Sequence, residues 1–309
     1  MKRILSLLLL TIVAVPAIYA VKPETAQFNV ATYNMRLLIN SDSVRGNGWQ
    51  RRCPVISDLV KFHDFDIFGT QECFRSQLDQ LLDRLDNYAC IGVGRNDGVK
   101  AGEHSAIFYR TDMFELLDHG DFWLSETPDR PGKGWDAAEP RICSWGKFRH
   151  IGTGRIFMFF NLHMDHKGVQ ARVESARLVL KKIAELSDGV TTFLSGDFNV
   201  DQTHDSYAEI VATGTLQDSH DVSDFVYATN GTFNSFTSDG FTESRLDHIF
   251  VTTDVKVTKY GILTDTYRTA ETQDDAQTRD APAEMKMKKY ISRVPSDHFP
   301  VRITVQLTE

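Results

Sequence analysis

Asp197 and Asn199 lie two positions apart in Ser195-Gly196-Asp197-Phe198-Asn199, directly after the apolar run Thr192-Phe193-Leu194. A short run of β-forming residues stopped by Ser-Gly reads as a buried strand with a polar tip. A carboxylate and an amide at that tip could both reach one metal-bound phosphate. Taken alone, the same residues make an ordinary turn equally well. Their company changes the reading. Asn34 closes the alternating stretch 28–34, Glu72 closes 66–72, and His163 closes the apolar run that begins at Ile156. Asp247 opens the strand pattern of 246–251, and Asp297-His298 precede the alternating segment 301–307.

These groups constrain the elements that must carry them. Asn34, Glu72, His163 and Asp197 stand at the C-terminal ends of their strands, whereas Asp247, Asp297 and His298 stand at the starts of theirs. They can share one rim only if the last strands run antiparallel to some of the others. A purely parallel sheet offers its C-terminal strand ends alone. The expected fold class is therefore α/β: two packed mixed or antiparallel β-sheets with helices on the outside, a four-layer sandwich. Helical spacing appears at Val55, Ile56, Leu59 and Val60, at Leu78, Leu81, Leu82 and Leu85, and over the longest stretch at Val173, Ala176, Leu180, Ile183 and Ala184. Residues 206–212 suit a short helix stopped by Gly214, and 105–125 read as antiparallel strands. Residues 40–47 and 128–135 read as loops, with Trp49, Arg51 and Arg52 closing the first. Residues 267–283 read as a charged insertion.

Lys2 and Arg3 precede an apolar run ending before Pro16, with small residues up to Ala20, the pattern of a secretory leader over residues 1–20. That run is short for a bilayer span. The expectation is an exported protein, periplasmic or secreted, with no membrane span after cleavage and a single domain over 21–309. Losing Lys2 and Arg3 takes the net charge from −8 to −10, which disfavours a tight grip on long duplex nucleic acid. Cys53, Cys73, Cys90 and Cys143 are scattered without C-x-x-C pairs, so a zinc site is not expected and disulfides are left open. No linker, repeat or separate recruiting domain marks an obligate protein partner, and a monomer is expected.

The series Thr32-Tyr33-Asn34-Met35-Arg36, Thr70-Gln71-Glu72, Asn161-Leu162-His163, Gly196-Asp197-Phe198-Asn199, Leu246-Asp247-His248 and Ser296-Asp297-His298-Phe299-Pro300 comes in this order. It resembles the endonuclease/exonuclease/phosphatase superfamily of Mg²⁺-dependent phosphoesterases over residues 28–307. The wording around His163-Met164-Asp165-His166 and Arg293–Pro300 is most similar to an exported bacterial group near the deadenylase and nocturnin branch.

Phosphoester hydrolysis has to neutralise phosphate charge, activate water and stabilise a leaving alkoxide, and a hard cation held by carboxylates serves these needs. The resemblance implies Mg²⁺ or Mn²⁺ at Glu72, supported by Asn34 as an oxygen donor and by Asp297, which alternatively orients His298. It implies a catalytic set of His163, Asp197, Asn199, Asp247 and His298. Asp197 would activate water or contact a second metal, with Asn199 on a phosphoryl oxygen, and Asp247 would orient His163 or bind metal. Arg141 resembles an arginine that clamps the scissile phosphate; a surface salt bridge is its plainer reading. Asp165 and His166 are equally well a helix cap. His248 reads as a strand residue, and His104, His119 and His220 as surface histidines.

The leading expectation for function is a nuclease-type phosphodiesterase, 3′-to-5′ exonuclease-like, on short or single-stranded nucleic acid. The alternative is a phosphatase or diesterase for small phosphorylated molecules such as nucleotides, sugar phosphates or lipid headgroups. A secreted binding protein that has lost turnover is the reading from another class. Phe122, Trp123, Trp135 and Trp145 could stack on bases or sugars, with core or loop packing as their default. Lys286, Lys288, Lys289 and Arg293 give the 267–293 insertion a basic end that is expected beside the cleft.

Overall fold

The computed structural model describes residues 25–270, 282 and 284–307. Two large sheets face each other. One has seven strands in the order Val226–Tyr227, Val255–Ile262, Val301–Leu307, Ala26–Asn34, Ile67–Gln71, Ile107–Arg110 and Tyr88–Ile91. The other has six, in the order Phe114–Trp123, Ile142–His150, Ile156–His163, Thr192–Asp197, Asp247–Thr252 and Leu216–Asp218. Ala26–Asn34 runs parallel to Ile67–Gln71 but antiparallel to the last strand, with Thr32 opposite Val301. In the second sheet His163 pairs with Asp197 in parallel register, and Asp247 pairs with Asp197 across an antiparallel ladder. Strand ends and strand starts therefore meet on one rim, as the mixed-sheet expectation requires.

Alternation along the central strands builds the layers. Phe157, Phe159, Phe193, Ile249 and Val251 point between the sheets, where they meet Phe28, Val30, Ile67 and Ile303. Their neighbours Met158, Phe160, Leu162, Leu194 and Phe250 point outward onto helices Val169–Ser187 and Asp205–Val211. On the other side Ala31, Tyr33 and Phe68 meet helices Trp49–Phe62 and Arg75–Leu82. Strands buried on both faces explain why so much of 156–163 and 192–194 is apolar without alternation.

Buried polar side chains bridge the two sheets, Asn161 chief among them. Asn161 donates from Nδ2 to the carbonyls of Thr70 (2.9 Å) and Ala106 (3.0 Å) on the opposite sheet, and its Oδ1 accepts from Gln71 Nε2 (2.7 Å). Gly69 leaves room for it: a Cβ there would sit 2.2 Å from Asn161 Oδ1.

Several local expectations need correction. Residues 40–44 form a short helix, Asn40–Val44, and Trp49, Arg51 and Arg52 begin a helix rather than close a loop. Strand Val255–Ile262 is a further element, interrupted by a bulge between Val257 and Lys259. All four cysteines are free. His104 is 1% exposed, not a surface histidine, because its backbone is held in a β-bridge to the buried Cys73. The expected leader over 1–20 lies outside the described residues, among which no helix is long and apolar enough to cross a membrane.

Candidate active site

A cleft of about 540 Å³ opens on the rim where the two sheets meet. Glu72, His163, Asp197, Asn199, Asp297 and His298 all line it, joined by Arg141. Asn34 lies beneath, fully buried, and Asp247 lies behind His298, also fully buried. All nine residues singled out from the sequence thus gather in one place.

Asn34 ties the acidic side together. Its Nδ2 donates to Glu72 Oε1 (3.0 Å) and to Asp197 Oδ2 (2.9 Å), while its oxygen accepts from the Arg36 backbone (3.0 Å). Asn34 thus meets the carboxylates as a hydrogen-bond donor. The Arg36 guanidinium sits 3.4 Å from Asp297 and 3.9 Å from Glu72, and its Nε binds Asp42 at 2.9 Å. Arg36, Glu72 and Asn199 all adopt positive φ, at 58°, 67° and 51°. That conformation is uncommon outside glycine, and such strained residues concentrate at functional sites.

Asp247 turns out to orient His298 rather than His163. Its Oδ2 faces His298 Nδ1 at 2.8 Å, which leaves Nε2 directed at Asp197, 3.7 Å away. Burial alone would depress the His298 pKa, but Asp247 and Asp197 override it and raise it well above the ordinary histidine value. Burial pushes Asp197 up to about 7, with Asp247 adding to the effect and His298 opposing it. His163 goes the other way. Burial, then the charges of Arg141 and Arg95, hold it well below its ordinary value, so it stands neutral. Asn199 Nδ2 lies 3.0 Å from His163 Nε2 and donates to the Met164 carbonyl, fixing the ring against the Asp197 tip.

Arg141 and Arg95 bring positive charge to the cleft beside Glu103 and Glu139. Arg141 is 4% exposed, with Nε on Asp165 (3.3 Å) and Nη2 at 3.0 Å from His166 Nδ1, while its Nη1 has no hydrogen-bond partner among the described residues. Asp165 is no cap of the following helix. It accepts from the backbone of Ala138, Glu139, Lys167 and Gly168, and so anchors the segment that delivers Arg141. These bonds outweigh burial and hold its carboxyl well below the usual range. Asp136 caps the helix instead, accepting from Ala171.

Sequence reasoning missed Arg95, Glu103 and Phe233. Arg95 and Glu103 pair at 2.8 Å and both line the cleft, and Glu103 lies 3.8 Å from His163 Nδ1. The available signal was an Arg just inside and a Glu just after the glycine-rich loop from Gly94 to Gly102, shortly before a strand. Phe233 packs edge-on against His298 at 5.1 Å and is 41% exposed. The aromatic residues weighed from sequence sit elsewhere: Phe122 and Trp123 are buried, Trp145 packs on the core, and Trp135 is not among the cleft residues. His248 is a buried strand residue beside Asp218. Arg293, at the base of the 267–293 insertion, donates to the Arg45 carbonyl, and Arg45 lines the cleft.

A hard divalent ion fits this donor set. Glu72, Asp197 and Asp297 are oxygen donors packed within reach of one amide or one guanidinium, and Arg36 offsets only part of their charge. Asp197, Asp247 and His298 also form a tight acidic-histidine group with ligand atoms within 4.8 Å, and Asp247 Oδ1 has no hydrogen-bond partner among the described residues. The Asp247–His298 hydrogen bond commits that ring to orienting its other nitrogen, so Glu72 and Asp297 are the better seats.

The chain matches the profile of the Endonuclease/Exonuclease/phosphatase family over residues 31–298. It is 54% identical to a solved endonuclease/exonuclease/phosphatase family protein from Bacteroides thetaiotaomicron, with a TM-score of 0.85 over 92% of this chain and 96% of that one. A second structure from the same organism is described as a mannosyl-6-phosphatase. It is 56% identical, with a TM-score of 0.83 over 90% of this chain and 99% of that one. The human nocturnin catalytic domain, at 14% identity and a TM-score of 0.62 over 90% of this chain and 93% of that one, shares the fold. Among curated proteins, an uncharacterized protein of Acanthamoeba polyphaga mimivirus is 21% identical over 173 residues, 46% of this chain but only 25% of that protein.

Proposed function

The chain belongs to the endonuclease/exonuclease/phosphatase family and is a phosphoester hydrolase, and from that premise we propose that it is an exported phosphomonoesterase that removes the phosphate of a phosphorylated sugar, using Mg²⁺ or Mn²⁺. The observation that carries this reading is the set of arginine and histidine donors in the cleft. Arg95 and Arg141, paired with Glu103 at 2.8 Å and Asp165 at 3.3 Å, line a small cleft with His163, His166, Glu72 and Asp297. So many donors around one phosphate suit the dianion of a monoester better than the single charge of a diester. The 56% identical protein described as a mannosyl-6-phosphatase favours the same class of substrate, in place of the nuclease that the motifs alone put first. An overall acidic chain also suits a small anion held by local arginines better than a polynucleotide.

The residues divide the work as follows. Glu72 and Asp297 would hold the ion, whose charge would offset that of the phosphoryl group and of the departing sugar alkoxide. Asp197, fixed by Asn34 and by the backbone of Asn199, takes the proton of the attacking water. His298, oriented by Asp247, presents Nε2 to the phosphoryl oxygens as charge develops there. Arg141 Nη1 and neutral His163 position the phosphate, and Asn199 supports His163.

A substrate panel tests this. With Mg²⁺ present, kcat/KM for mannose 6-phosphate or p-nitrophenyl phosphate should exceed that for bis-p-nitrophenyl phosphate and for short single-stranded oligonucleotides by at least about 100-fold. That ratio corresponds to about 2.7 kcal/mol of transition-state binding, which one arginine–phosphoryl interaction absent from the wrong substrate would account for. Faster turnover of the diester or the oligonucleotide would overturn the monoesterase reading and restore the nuclease.

A further inference from the structure

We infer that a second cavity on the same rim binds a neutral saccharide, so that the enzyme holds carbohydrate beyond the sugar whose phosphate it removes. The inference deepens the phosphosugar reading and rests on it for its biological sense, though not for its test. The loop 230–244 borders both cavities. Its tip, Phe233, Ser235 and Phe236, lines the catalytic cleft. Its flanks, Asn230-Gly231 and Phe241-Thr242-Glu243, line a second cavity of about 480 Å³. That volume lies in the range of small-ligand sites.

The topology puts this cavity beside the catalytic one. Arg245, on its wall, stands two residues before Asp247; Gln202 stands three after Asn199; Ile262 pairs with Val301, four residues after Asp297. The walls are preformed. Gln202 accepts from the Arg245 backbone and donates to the Glu243 carbonyl, and Asn230 bridges Gly240 and Thr242.

The chemistry of the lining selects the ligand. The Arg245 charge is spent on Asp218 at 3.0 Å, and His220 faces Asp221 at 2.8 Å. With Glu243 also on the wall, no positive excess remains to attract a second phosphate. What remains is hydroxyl, carboxylate and imidazole from Thr229, Thr242, Glu243 and His220, beside Phe241, whose side chain is 72% exposed at the mouth. A neutral molecule with many hydroxyls and one apolar face satisfies both features, and a sugar ring is such a molecule. Outside the lining, Phe225 and Tyr227, in the segment that leads into Ala228, are 60% and 58% exposed.

The test uses neutral probes, so that phosphatase activity plays no part. Calorimetric titration of the intact protein with mannotriose, cellotriose and maltotriose should give binding by at least one of them. Phe241→Ala should weaken it about tenfold, the effect of removing one stacking ring, and Glu243→Gln should weaken it too. Neither change should alter hydrolysis of p-nitrophenyl phosphate, and inorganic phosphate should not compete. Phe241 is exposed, so its truncation leaves the core intact. No binding by any probe, binding indifferent to Phe241→Ala, or displacement by phosphate would each overturn the inference. A protein that binds mannotriose this way yet hydrolyses no sugar phosphate would keep this inference and lose the proposed substrate.

Discussion

Asp247 makes its contribution without lining the cleft. Its carboxylate accepts the Nδ1 hydrogen of His298 and fixes where Nε2 points. Asp247→Asn should therefore lower kcat by roughly 10²- to 10⁴-fold while KM for the phosphate ester changes little, as steady-state kinetics would show. Glu103 supplies a stability prediction. Burial, opposed by Arg95 and helped by Glu72, raises its pKa to about 7, above the unfolded value near 4.3. A raised carboxyl stabilises the fold fully below the unfolded pKa and loses that contribution as pH climbs through the folded one. Metal-free protein should thus lose up to about 3 kcal/mol between pH 4.5 and 7.5 from this group, and Glu103→Gln should flatten that part of the slope in denaturant unfolding. The two residues differ in legibility. Asp247 could be found because it is a carboxylate at the start of an apolar strand. Glu103 offered only its place after a glycine-rich loop, where a charged residue looks like any solvated turn until the fold buries it.

Between elements, the register of the two sheets decides whether Glu72 and His163 share a cleft. Asn161 sets it, as the side chain that binds Thr70, Gln71 and Ala106 across the core. Asn161→Leu should cost about 3 kcal/mol, since it strips the buried Thr70 carbonyl and Gln71 Nε2 of their bonds to Asn161 and overpacks the space above Gly69, and kcat should fall with it. Gly69→Ala should produce the same pair of losses from the other side. Thermal melts and turnover on one preparation check both; loss of stability with full activity would show that the latch does not align the site. The mixed sheets followed from sequence because functional groups occupied opposite strand ends. Strand Val255–Ile262 did not, because the bulge at Val257/Lys259 shifts its alternation midway: Val255 and Val257 are buried, then Tyr260 and Ile262. Arg52 was read as loop for a related reason. It is fully buried, donating to carbonyls of Met35, Asn47 and Pro295, partners 5 to 243 residues away that no local pattern reveals.

Across the whole molecule, an acidic chain gathers Arg36, Arg45, Arg95 and Arg141 at its cleft, interleaved with Glu72, Glu103, Glu139 and Asp297. The sequence carried the reaction class in motifs spread from Asn34 to His298, because every strand tip had to deliver one polar group to the same rim. It could not carry the substrate, because Arg95, Glu103 and Phe233 come from loops whose course the strands leave free. The proposed phosphomonoesterase chemistry requires that Glu72 seat a divalent ion beside the cleft arginines. Phosphate release from mannose 6-phosphate, measured with EDTA and then with added Mg²⁺, in wild type and Glu72→Gln, tests it most directly. The expected result is no release with EDTA, recovery with Mg²⁺ in wild type, and at least a roughly 10³-fold lower rate in Glu72→Gln at any Mg²⁺ concentration. Full activity in EDTA, or a Glu72→Gln protein that turns over like wild type, would contradict it.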